Sequence, residues 1–357
     1  MLNAESSLRL NLLRFPLIVG VVFVHAYETT VGFAGGSVSI GLNQNNIISE
    51  FIRNLISQEI ARIAVPIFFL MSGYLFFVGF VWSKENYLDK VKSRIKTLLI
   101  PFLFWNIATL LLTALGQSLI VTQGLFSGKN PFIINFSAFD YMRYIFGIGV
   151  NPISYQFWFI RDLMLLVLLS PIILYLIKKT SLFYILSLLI CWFLMAWVPY
   201  LPSAEATLFF SLGCYFAINQ KSLFGLDVYG KTIIASYIVV IILDVIFYGK
   251  LLYLQRFGIL LGVVAGLFMT KYLANTPPAK LALFKLSTAS FFVYAAHEPL
   301  LSAVRKLAYK VIQPNSDYLI LALYLAIPVT VIMTLVFTYH KMVLVFPKFT
   351  RLITGGR

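Results

Sequence analysis

Apolar runs of about 20 residues recur along this chain, and that is the length an α-helix needs to cross roughly 30 Å of hydrocarbon at 1.5 Å per residue. A segment in lipid must satisfy its backbone amides internally, so such runs fold as helices or as closed barrels. The alternating apolar and polar strands of a barrel are absent. With 60% hydrophobic residues, only 11% charged residues and a mean hydropathy of +0.90, the chain reads as all-α and polytopic, one membrane-embedded domain over 1–357. Runs between charged or Pro/Gly-bearing breaks predict about ten spans, near 8–27, 63–82, 97–119, 157–177, 182–200, 204–219, 232–249, 253–272, 284–304 and 318–343. The sixth is short and the last long, so nine or eleven also fit.

The net charge of +15 sits in short segments between these runs, where topology and anionic headgroups explain it better than nucleic acid does. With the N-terminus inside, 17 of the 28 basic residues lie on the cytoplasmic side and nine on the other. The excess favours two cytoplasmic termini, and an even number of crossings requires the termini to share a side. The first run is too long for the core of a signal peptide and lacks a small-residue cleavage site, so it reads as a permanent helix. Cys191 and Cys214 lie in apolar runs with no His or Asp at metal-ligand spacing, and they read as core residues rather than a metal site.

Two long connections remain on the outer side, about 28–61 and 120–156. The first contains "NNIISEFIRNLISQEIARI", with apolar positions at helical spacing, which predicts an interfacial amphipathic helix. The second carries aromatic residues and "SGKNP", which suggests a folded cap.

Ionisable residues inside the spans are the informative feature, because each costs about 2–3 kcal/mol or more in lipid unless paired or hydrated. The first span, "LNLLRFPLIVGVVFVHAYE", carries Arg14, His25 and Glu28. Eleven residues are almost three helical turns, so Arg14 and His25 share a face about 16 Å apart, and Glu28 joins them. Arg14 alone could snorkel to headgroups, and His25 alone could be a packing residue; one stripe of all three predicts a polar intramembrane cavity. Similar depth holds Glu59 and Arg62, Trp158 with Arg161 and Asp162 in "QFWFIRDLMLL", and His297 with Glu298 in "SFFVYAAHEPLL". Adjacent helix positions diverge, so Arg161 and Asp162 are weak partners for each other. Asp244 has no partner visible in the sequence. Prolines at 16, 66, 101, 171 and 299 can kink their helices around such a cavity.

In these blocks the chain resembles the membrane-bound acyltransferase family 3, carbohydrate O-acyltransferases. The resemblance runs through "RFPLIVGVVFVHA", where Arg14 and His25 reproduce the family's Arg, ten residues, His motif. It continues through "ARIAVPIFFLMSGYLF", "YLDKVKSRIKTLLIPFLFW", "FWFIRDLMLLVLLSP" and "VYAAHEPL", in the family's order, over about residues 10–300. No esterase-like domain follows the membrane part. The resemblance implies ten or so helices, an acyl-CoA donor (usually acetyl-CoA), and a hydroxyl acceptor on a cell-surface or lipid-linked carbohydrate such as an envelope polysaccharide. Its usual setting is a bacterial inner membrane, among membrane lipid.

Acyl transfer to an alcohol needs a base near neutrality, and an imidazole suits that role. The expected catalytic residues are His25 as base, Glu28 to orient its ring, and Arg62 beside the reacting carbonyl. Arg161, His297, Glu298 and Trp158 are expected to bind substrate, with Arg161 or His297 also able to donate to an oxyanion. Arg14 with Lys92, Arg94 and Lys96 would hold the anionic CoA, although the loop cations also serve the positive-inside signal. A transporter of glycans or acylated metabolites is the rival reading, since it too needs a polar path, but related halves and broken helices in matching positions are not seen. A non-catalytic scaffold leaves the stripe unexplained.

Overall fold

The computed structural model describes residues 3–34, 36–40, 47–124, 126, 132–194, 202–247, 251 and 253–356. The first span is one helix, α1 (Ala4–Ala26), followed by a hairpin of β1 (Thr30–Phe33) and β2 (Gly36–Ser39), in which Val31 pairs with Val38. α2 (Ile47–Asn54) runs on through a π-helical stretch and a 3₁₀ turn into α3 (Ala64–Phe77). α4 (Lys84–Arg94) leads in the same way into α5 (Ile100–Ser118), and the short α6 (Ile120–Gln123) and α7 (Ala138–Phe146) follow. Then come α8 (Trp158–Thr180), α9 (Leu182–Phe193), α10 (Ala204–Ile218), α11 (Gly230–Ile246), α12 (Leu254–Asn275), α13 (Pro277–Ser287), α14 (Ser290–Ile312), α15 (Asp317–Val345) and α16 (Pro347–Ile353).

The all-helical membrane class is as expected, and the count of about ten spans is not confirmed. Among the described residues seven helices are long and apolar enough to cross a membrane, and an eighth is added if α13 and α14, bent by 64°, form one span. The difference lies in α9 and α10, of 12 and 15 residues, which extend about 18 and 22 Å, short of a bilayer's roughly 30 Å. The expected fifth span reached residue 200, and its end, like "SGKNP", lies outside the described residues.

The chain packs as two compact units. One comprises 1–21, 59–96 and 162–290, the other 22–58, 97–161 and 291–357. In the first, α3 and α10 approach until their backbones nearly touch. A Cβ on Gly73 would overlap the carbonyl of Phe210, and one on Gly213 the carbonyl of Leu70. Small residues permit such a crossing, and dispersion between the close backbones then replaces the hydrophobic effect that lipid cannot supply. Arg9, 3% exposed, bonds Asp227 at 2.6 Å and Thr270 at 2.8 Å, so this basic residue serves packing as well as orientation.

In the second unit α2 shows which way the amphipathic helix turns, a point the sequence reading leaves open. The predicted amphipathic helix forms, yet its polar side faces inward: Ser49, Arg53 and Asn54 are buried, while Ile47, Ile48 and Phe51 are exposed. Periodicity shows that a helix has two faces and not which of them meets protein; beside a membrane the outward face is the apolar one. The Asp317 carboxylate, at the start of α15, accepts from the backbone amides of Ile48 and Ser49 and so holds the first turn of α2.

Candidate active site

The site in the second unit is built from a break in α14. Pro299 has no N–H to return to the Ala295 carbonyl, and Glu298 leaves helical geometry at φ −109°, ψ 134°. The freed carbonyls find other donors. Gln156 Nε2 donates to Ala295 at 3.1 Å, and His297 Nδ1 bonds the Tyr294 carbonyl at 2.7 Å. A carbonyl only accepts, so the His297 proton sits on Nδ1 and its Nε2 presents a lone pair. His297 is fully buried, and Nε2 is without a hydrogen-bond partner among the described residues.

The His25 ring, on the last turn of α1, lies 5.3 Å from the His297 ring and 4.9 Å edge-on from Tyr155. Tyr155 donates to Glu298 Oε1 at 3.1 Å, and Tyr294 donates to the Gln156 carbonyl at 2.7 Å. Glu28 pairs with Arg305 at 3.2 Å, and Arg305 Nη1 bonds the His25 carbonyl at 3.0 Å. Burial pushes the Glu28 carboxyl up from its ordinary value, and the Arg305 charge opposes the rise. Two imidazoles, one with an open lone pair, thus stand beside two carboxyl groups on separate elements. That is equipment for moving a proton.

His25, Glu28, His297 and Glu298 are therefore brought together. Arg161 belongs to the same unit, but its guanidinium bonds the carbonyls of Gly147 at 2.9 Å and Val150 at 3.2 Å. Gly147, at φ +69°, closes α7 in a conformation that glycine favours, and a Cβ there would sit 2.7 Å from Arg161. Asp162 accepts instead from the Ser203 amide at 2.8 Å in the other unit, as diverging directions require. Trp158 opens α8 and is half-buried.

Arg14, Arg62, Lys92, Arg94 and Lys96 lie in the first unit. Arg62 stands within electrostatic reach of Glu59 and Glu205. Arg14 is exposed and makes no ion pair among the described residues; Lys92 and Lys96 are exposed and Arg94 half-buried. Asp244, unplaced by sequence, finds Glu59, with which it shares a side-chain hydrogen bond.

Sequence reasoning missed Tyr155, Gln156, Arg53 and Arg305 as site residues. The first two sit beside the flagged "FWFIRD", within reach of a closer reading of that block. The two arginines had been counted only as topology charges, and nothing local distinguishes them. No group of three or more His, Cys, Asp or Glu among the described residues could hold a metal.

A family model described as an acyltransferase domain, acyltransferase 3, matches residues 7–339. The chain is also similar to the succinoglycan biosynthesis protein ExoH of Rhizobium meliloti (strain 1021), 29% identical over 313 residues, covering 84% of this chain and 80% of that protein. No solved structure matches.

Proposed function

This chain belongs to the acyltransferase 3 family, and from that premise we propose that it moves an acyl group from an acyl-CoA, acetyl-CoA being the expected donor, to a hydroxyl of a cell-surface or lipid-linked carbohydrate. The observation that carries the reading is the His25–His297 pair at 5.3 Å. A neutral His25 takes the proton of the acceptor hydroxyl as its oxygen attacks the thioester carbonyl. The carbon–sulfur bond then breaks and the proton passes to the departing CoA thiolate. His297 Nε2, a lone pair rather than a donor, accepts a hydrogen bond from a second hydroxyl of the acceptor sugar and so holds the sugar beside His25. An oxyanion-donor role for His297 does not fit this tautomer, which leaves that role to the arginines.

Arg14, with Lys92, Arg94 and Lys96, supplies cations for the CoA phosphates. The positive-inside excess supports a bacterial inner membrane with both termini cytoplasmic. The relative's part in succinoglycan biosynthesis supports a polysaccharide acceptor.

The test uses the full chain in lipid nanodiscs with radiolabelled acetyl-CoA. Release of CoA thiol and transfer of label to glycan are expected, and a transporter would give neither. Arg14→Ala should raise the KM for acyl-CoA several-fold with kcat little changed; unchanged donor kinetics would remove Arg14 from donor binding.

A further inference from the structure

Next to the histidine pair, within the same unit, lies a small cavity that the proposed chemistry does not use. Arg53, Arg305, Glu28, Tyr309, Tyr324 and Ile327 are among its walls. Arg53 is 3% exposed and Arg305 8%, and the two tyrosines are buried. Arg305 is neutralised by Glu28 at 3.2 Å. Arg53 has no close ion pair among the described residues: it donates to the Glu28 backbone carbonyl and stacks against Tyr27 at 5.1 Å, and it shares the field of the one Glu28 carboxyl with Arg305.

Two buried guanidiniums that share one carboxylate leave a positive charge uncompensated, and burying such a charge costs several kcal/mol unless an anion meets it. The cavity volume is about 10 Å³, close to one water, which admits a single small polar group and no sugar ring. A guanidinium fork matches the planar carboxylate in two parallel bonds. The phosphates of CoA lie a pantetheine arm from the thioester and so do not suit a cavity whose wall bonds the His25 carbonyl.

We infer that this cavity binds a substrate carboxylate through Arg53, beside the reacting hydroxyl and thioester. The inference rests on the acyl-transfer reading for what the anion belongs to. It belongs either to a dicarboxylic acyl group on CoA or to an acidic acceptor sugar, and the recognition chemistry is the same.

The full chain in nanodiscs is titrated calorimetrically with succinyl-CoA against acetyl-CoA, and with glucuronate against glucose. CoA release is followed in parallel. One acidic probe is expected to bind roughly 10–100-fold more tightly than its neutral counterpart, the worth of a charged hydrogen-bond pair. Arg53→Gln should remove that preference. Preference within the CoA pair assigns the carboxylate to the acyl group, and preference within the sugar pair assigns it to the acceptor. If Arg53→Gln fails to fold, Arg53→Lys, which keeps the charge and loses the fork, should reduce the preference several-fold. No preference in either pair, or a preference that survives substitution, overturns the assignment. His25-dependent CoA release without anion preference defeats the cavity proposal alone; Arg53-dependent anion binding without CoA release defeats the acyl-transfer reading alone.

Discussion

His25→Ala is expected to lower acyl transfer by roughly 10²–10⁴-fold, the usual contribution of a positioned general base, while leaving expression and membrane insertion intact. The ring stands on the last turn of α1, and its backbone carbonyl, not its side chain, receives the Arg305 bond that ties α1 to α14. Alanine keeps that bond, so the loss should fall on kcat rather than on folding. The measurement is CoA release by purified protein, with the unfolding midpoint in detergent as the control. Activity within a few-fold of the parent would take His25 out of the mechanism.

The largest structural effect is expected at the crossing of α3 and α10. Gly73→Val places a side chain where the Phe210 carbonyl already lies, and Gly213→Val does the same at the Leu70 carbonyl. Neither obstacle is the flexible end of a side chain, so the helices must separate, at a cost of about 1–3 kcal/mol or more. Each variant should unfold at a lower temperature and yield less protein. Gly225→Ala, whose new Cβ would meet the Ser222 carbonyl oxygen at an ordinary 3.5 Å, should be nearly silent. A Gly73→Val protein as stable as the parent would mean that α3 and α10 do not approach so closely.

How far the site could be read from the sequence follows from the distance over which each signal acts. Arg14 and His25 share one helix, so eleven residues of spacing sufficed to place them on a face. The histidine on α14 stands out by its depth in an apolar run, but its tautomer depends on the Tyr294 carbonyl that its own ring captures, while Gln156 takes the Ala295 carbonyl that Pro299 leaves without a donor. Proline announced a break without saying which donor would mend it. Arg161 stands out in its apolar run, but its bonds to the loop after α7 go to carbonyls that no pattern of side chains reveals.

The pairing of Glu59 with Asp244 shows the same limit. Each carboxyl is conspicuous in an apolar run, yet which one meets which is settled by helix packing. Arg53 and Arg305 are plainer still: as letters they count toward topology, and only as neighbours of Glu28 do they become the walls of a cavity.

By itself the sequence determined that the chain is helical and membrane-spanning, which of its residues are costly to place in lipid, and, through the order of its motifs, its family. Hydropathy and helical period are local properties, so they survive without a fold. Tertiary structure alone decided how many helices are long enough to cross, which face of α2 turns inward, and which titratable groups stand within a few ångströms of one another. Those outcomes depend on packing between segments distant in the chain, where small residues and freed backbone groups choose partners that no local pattern records.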